Sequence, residues 1–205
     1  MNTKKITGWL LIAGPIIFLG FGILNPAASA DWKSNMDIIS ELASNPTMVA
    51  ISGIFNTIGA IIVLGGMSGL KETISNSSNY KFASLSVIFI AVGVVLNAVS
   101  QALMLSTADA ASKGEIPVAS TMLAGYLGVA QMSAIILFIG VTIMGISLYL
   151  EKSLNSLVLV LLIIIGIIGI AIPFWDSRSS LLFIPFIGLG ILSIIIGRLT
   201  IRAKE

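Results

Sequence analysis

The sequence predicts an all-α fold: a single integral membrane domain over residues 1–205, with six transmembrane helices and a short amphipathic surface helix in the first outer loop. Three observations carry that prediction. Apolar residues make up 57% of the 205 residues and charged ones 10%, against a charged share of about 25% in soluble domains. The apolar residues gather into six runs, each of roughly the length that crosses a hydrocarbon core of about 30 Å at about 1.5 Å per residue. Every Asp, Glu, Lys and Arg falls between those runs or at a chain end, as the cost of a charge at mid-membrane requires.

The first run, residues 6–24, follows Lys4 and Lys5 and precedes Ala28-Ser29-Ala30. That layout imitates a secretory signal, but the run exceeds the usual apolar core of about 7–15 residues, so a retained first span is expected. Pro15 sits inside it and predicts a kink, because its missing N–H leaves a carbonyl unpaired. The longest polar interruption then follows, Asp31 to Thr47. Read as a helix over residues 35–44, it places Met36, Ile38, Ile39, Leu42 and Ala43 on one side and Asp37, Ser40, Glu41 and Ser44 on the other. Ser34 with Asp37 resembles a capping box, and Asn45-Pro46 supplies the stop. A short helix lying on the membrane surface is expected.

The second span is residues 47–70, and 71–81 is a Ser/Asn-rich turn. The third, 82–105, leads into a loop of small residues, 106–115. Pro117 suits a first helical turn, and the fourth span, 118–150, continues from it. A helix running from Pro117 to Leu150 is about 50 Å long, so it should tilt or project from the membrane at its Pro117 end. The fifth span is 154–174, Trp175 to Arg178 makes a tight connection, and the sixth is 181–197. Gly65 and Gly69 form a small-xxx-small pair suited to close helix approach.

Orientation follows from the basic residues. Lys4, Lys5, Lys71, Lys81, Lys152, Arg198, Arg202 and Lys204 share one side, while Lys33, Lys113 and Arg178 share the other. The positive-inside rule puts both termini in the cytoplasm of a multi-pass cell-membrane protein. The lipid bilayer is the expected partner, with other membrane subunits or a homo-oligomer as further ones. Nucleic acid is excluded: the net charge of +2 is small, and no basic stripe with interleaved aromatics exists. With no Cys and no His there are no disulfides, thiolate nucleophiles, Cys/His zinc sites or imidazole triads, and no cofactor is expected.

The uncharged polar residues inside the spans are the informative ones, since each needs a partner where no water is at hand. They concentrate in three spans: Asn56 and Thr57 in the second, Asn97, Ser100 and Gln101 in the third, Tyr126, Gln131 and Ser133 in the fourth. Gly93, Asn97, Ser100, Gln101 and Met104 share one face of a helix. Asn56 lies about 14 Å and Asn97 about 12 Å from the outer ends of their spans at about 1.5 Å per residue. The expectation is a polar-lined recess opening outward between the second, third and fourth spans. Asn56, Asn97, Ser100, Gln101, Gln131 and Tyr126 are its candidate ligand-binding residues, and Asp37, Glu41 and Trp32 form a gate in the outer loop. The plainer reading is that the amides and hydroxyls hold helices together, at about 0.6 kcal/mol per contact. For Asp37 and Glu41 it is a solvated helix face; for Trp9, Trp32 and Trp175 it is anchoring at the membrane boundary.

Ile39-Ser40-Glu41-Leu42 between the first two spans, Ser68-Gly69-Leu70 closing the second, a Ser/Asn-rich inner turn and a basic tail are the marks of a resemblance. In these the chain resembles domain-of-unknown-function families of small six-span prokaryotic integral membrane proteins. The resemblance implies the fold and no activity. Some members carry a His and an acidic turn after the third span, whereas this chain has no His.

Two functions are therefore expected from the residues. The first is non-enzymatic binding or passage of a small neutral or lipid-like molecule through the recess. The second is an accessory or assembly subunit of a larger membrane complex, packing through its nearly featureless fifth and sixth spans. An enzyme is not expected, because the spans hold no carboxylate, imidazole, ammonium or thiol to serve as base or nucleophile.

Overall fold

The computed structural model describes residues 3–176 and 178–202, and among them it is built of helices with no strand. Ser177 of the tight connection and Lys204 of the basic tail lie outside the described residues. The helices are α1 (Thr3–Ile23), α2 (Asn35–Ser44), α3 (Pro46–Glu72), α4 (Tyr80–Ser112), α5 (Ile116–Leu150), α6 (Ser156–Trp175) and α7 (Phe183–Arg202). All but α2 are long and apolar enough to cross a membrane, and the most apolar stretch of each has a mean hydropathy between 2.0 and 3.2. They are consistent with an integral, multi-pass membrane protein in contact with the bilayer.

Local chemistry starts and ends these helices where the sequence provides for it. The Ser34 hydroxyl accepts from the Asp37 N–H at 3.2 Å, and the Asn45 side chain accepts from the Met48 N–H at 3.0 Å behind Pro46, so α2 and α3 meet at a sharp corner. Between α4 and α5 the chain reverses through Gly114, whose φ of +78° lies in the left-handed region that glycine adopts without strain. That turn lets two helices of 33 and 35 residues lie side by side.

The six long helices close into a ring in the order α1, α3, α4, α5, α6, α7, with α7 packing back on α1. On the outside of the ring Phe82, Leu85, Ile88, Val92, Val95 and Val99 of α4 are exposed at helical spacing, a stripe that suits lipid. One apolar core runs through the part of the ring nearest the chain termini, around Leu11, Met67, Phe138 and Ile196. A second core, at the opposite end, joins α2 to α4 and α5.

The second core corrects the expected boundaries. Residues 106–112 are not a loop: α4 continues through them to Ser112, and the projecting end of α5 has α4 beside it along its length. Each helix is about 50 Å long at about 1.5 Å per residue. α2 does not lay its apolar face on lipid. Ile38, Ile39 and Leu42 are at most 1% exposed, packed with Ala108 and Ala111 of α4 and Ala119 and Leu123 of α5. Met36, placed on the same face from its spacing, is 58% exposed and takes no part. Small side chains on the extended α4 and α5 leave room for another helix to seat there.

Glycines set how closely the ring helices approach near the termini. A Cβ at Gly8 would stand 2.6 Å from the Gly197 carbonyl oxygen, and one at Gly197 2.6 Å from that of Gly8, so α1 and α7 touch backbone to backbone. A side chain at Gly59 of α3 would run into the backbone of Phe18 on α1. Of the small-xxx-small pair, Gly69 is closed off by Thr7, whereas a Cβ at Gly65 would meet only the tip of Leu10, at 3.4 Å.

Candidate functional site

At the α2 end the same helices part. A Cβ at Gly22 of α1 would meet only the Asn56 Nδ2, at 3.6 Å. The space left between them is a cavity of about 250 Å³. Its wall is largely apolar, drawn from Phe18, Leu19, Phe21, Leu127, Leu137 and Phe186. The expected walls, α3, α4 and α5, are present; α1, α7, the segment after α1 and the α6–α7 connection complete it.

Asn56, Asn97, Ser100, Gln101, Tyr126 and Gln131 all line this cavity, as does Trp32. Several of them also hold helices together. The Asn56 Nδ2 donates to the Phe18 carbonyl at 2.9 Å, tying α3 to α1, and its Oδ1 accepts from the Asn97 Nδ2 at 3.2 Å, tying α3 to α4. The Gln131 Nε2 donates at 2.9 Å to the carbonyl of Pro173 in the last turn of α6, where helix carbonyls lack intrahelical partners. Ser133 donates to the Gly93 carbonyl across the α4–α5 contact at 2.8 Å, and Ser100 donates within its own helix to the Asn97 carbonyl at 2.7 Å.

Other polar groups in the lining are not spent in this way. Among the described residues the Gln101 amide and the Tyr126 hydroxyl have no hydrogen-bond partner. The Trp32 indole N–H is buried and unpartnered, and its ring lies 6.2 Å from that of Tyr126 at an interplanar angle of 39°. Arg178, from the α6–α7 connection, is the one charged residue in the lining, and its guanidinium forms no ion pair with the described residues. The nearby Asp176 carboxylate caps the turn, accepting from the Arg178 N–H at 2.9 Å.

Asp37 and Glu41 lie outside the lining. The Asp37 carboxylate accepts from the Asp31 N–H at 2.6 Å, and Glu41 accepts from the Ser29 hydroxyl at 3.4 Å, so both fasten the segment before α2 to α2 itself. Trp32 is the member of the expected gate that reaches the cavity, carried there by that fastened segment.

Asn25, Ser52 and Arg178 are among the lining residues that were not anticipated. Asn25 sits just past α1, where its Nδ2 donates to the Ser52 hydroxyl at 2.9 Å and approaches the Met104 sulfur at 3.3 Å, while its Oδ1 accepts from the Ala27 N–H at 3.0 Å. Asn25-Pro26 at the end of an apolar run was the available signal for it and for its partner Ser52. Arg178 carried a signal too, as a lone cation in a very short connection between two spans otherwise poor in polar groups.

A smaller cavity of about 30 Å³ adjoins the first, sharing Phe18, Leu19, Ala60, Leu137 and Phe186 with it. The Phe186 ring is 5.7 Å from Phe18 and 5.0 Å from Phe138, and the Ser193 hydroxyl in the smaller space is buried without a partner. The space suffices for a water molecule, which takes about 10–15 Å³. Among the described residues no three His, Cys, Asp or Glu side chains gather to hold a metal ion. Compared with known proteins, the chain matches no family model, no curated protein and no solved structure.

Proposed function

We propose that this protein is a multi-pass cell-membrane protein, with both termini in the cytoplasm, that binds a small lipid-like molecule in the recess at the outer end of its helical ring without transforming it. The orientation rests on Lys4, Lys5, Lys71, Lys81, Lys152, Arg198 and Arg202 at the end bearing the termini, against Lys33, Lys113 and Arg178 at the α2 end. The observation that carries the binding reading is an open cavity of about 250 Å³ whose mostly apolar wall holds polar groups with unspent hydrogen-bonding capacity. Amides serving only as glue would meet one another and leave no void. An apolar body with a few convergent polar groups is the usual form of a small-molecule site. A binding role rather than catalysis is supported by the lining itself. Among the described lining residues no carboxylate or lysine stands beside Tyr126 or Ser100 to activate either hydroxyl.

Native mass spectrometry of the gently extracted protein tests this. The expected result is a retained amphiphile that is lost from Gly22→Phe, since a side chain there grows past Asn56 into the recess. A bare wild-type protein, or an adduct that survives Gly22→Phe, refutes the reading. A protein subunit retained in place of the amphiphile would instead favour the accessory-subunit role.

A further inference from the structure

We infer that the ligand of this recess carries an anionic head, a carboxylate or phosphate on a single alkyl chain, held by the Arg178 guanidinium. The inference deepens the binding role proposed above and rests on it. Its basis is the direction of the unspent hydrogen bonds. Arginine is a donor that cannot accept, so the group that satisfies it must be an acceptor. Arg178 has no ion pair among the described residues. A planar guanidinium presents paired N–H groups that match a carboxylate or phosphate, and such charge-assisted bonds are the strong ones.

Among the described residues the lining contains no Asp or Glu, so none of them repels an anion or attracts a cation there. Tyr126 and Gln101 each donate as well as accept, and they extend the polar end without changing its sign. Apart from its hydroxyls and the amides already bonded between helices, the wall is aromatic and aliphatic, with Phe21 stacked on Phe55 at 4.5 Å and Phe18 and Phe186 closing the deep end. A head at the donor cluster leaves its chain against those rings. A free small anion would leave that apolar wall uncovered, which favours an amphiphile over inorganic phosphate.

The test uses the full chain in phosphatidylcholine nanodiscs, with Trp9→Phe and Trp175→Phe introduced so that Trp32 is the only tryptophan. Those two side chains are 60% and 94% exposed, so their replacement leaves the recess alone. Trp32 fluorescence is titrated with dodecanoate, dodecyl phosphate, dodecanol and dodecyltrimethylammonium. These probes share a chain length and differ in the head.

The two anions should bind about tenfold or more tightly than dodecanol, as expected for a hydrogen bond to a charged group, and the cation more weakly still. Arg178→Gln should bring both anions to the level of dodecanol while leaving dodecanol unchanged, and Arg178→Lys should restore part of the preference. Equal binding of alcohol and anions, or an anion preference that survives Arg178→Gln, overturns the anionic head and leaves the recess standing. Saturation by inorganic phosphate alone overturns the amphiphile. If none of the probes binds and no amphiphile copurifies, the binding role itself falls.

Discussion

Asn56 is the residue whose replacement reports most directly on how the rim of the recess is held. Its amide makes two interhelical hydrogen bonds, to the Phe18 carbonyl at 2.9 Å and from the Asn97 amide at 3.2 Å. Interhelical hydrogen bonds in a bilayer are worth about 0.6 kcal/mol on average and about 1.7 at most, because the unfolded chain also finds partners there. Asn56→Ala should therefore cost about 1.2 kcal/mol, and Asn97→Ala, which loses one such bond, about 0.6. The double variant should cost no more than Asn56→Ala alone, since the shared bond is already gone. That leaves a coupling energy of about 0.6 kcal/mol between the two sites. Reversible unfolding in mixed micelles of rising SDS fraction, followed by circular dichroism, measures all three variants. Strictly additive costs would show that the two amides do not bond to each other. A gain in stability for Asn97→Ala would show that this side chain is held against its own preference, as a residue kept for a ligand is.

Two further outcomes are expected. Leu42→Ala removes a side chain with no exposure from the contact of α2 with α4 and α5, a kind of truncation that costs about 2–5 kcal/mol. It should release α2 while the spans stay folded, seen as faster proteolysis and amide exchange confined to residues 31–45; unchanged protection there would refute the docking. At the opposite end, hydrogen bonds from Ser77 and Asn79 hold the Glu151 carboxyl below its ordinary range. A lowered native value means that the stabilisation is present above the ordinary glutamate range and is lost as pH falls through the native value. Between neutral and acidic pH the wild-type Tm should thus fall further than that of Glu151→Gln, and parallel curves would remove Glu151 as an anchor of the α3–α4 turn.

The spans were legible because hydrocarbon imposes one dominant demand, apolar side chains over a fixed length, and composition records it directly. Legibility failed where a helix left the hydrocarbon. Residues 106–112, mostly Ser, Thr, Asp and Ala, contain no apolar run and so read as a loop; yet alanine favours helix, and α2 needed a smooth face to seat on. For α2 the periodicity told which side is apolar but not what covers it, and so its apolar side was assigned to lipid and its carboxylates to a gate. The amides of the site were legible because a buried amide must find a partner. Asn25 and Arg178 were not, because at the end of a span a polar residue already has an explanation as a cap or a topology signal.

The position of the cavity follows from where the glycines lie. Near the termini, Gly8, Gly69 and Gly197 each sit against a neighbouring helix so closely that no side chain could be added without displacement. Near α2, Gly22 lines the cavity, and a Cβ there would meet only the Asn56 Nδ2, at 3.6 Å. The same residue type thus brings backbones together at one end and, at Gly22, leaves room beside an amide at the other. What prevents collapse at the open end is the set of interhelical bonds: Asn56 joins α1, α3 and α4, Gln131 joins α5 to α6, and Asn25 joins the end of α1 to α3. Each fixes a spacing that apolar packing alone would reduce. For these amides, holding helices together and lining a site are one role, since the bonds that space the ring also keep its recess open.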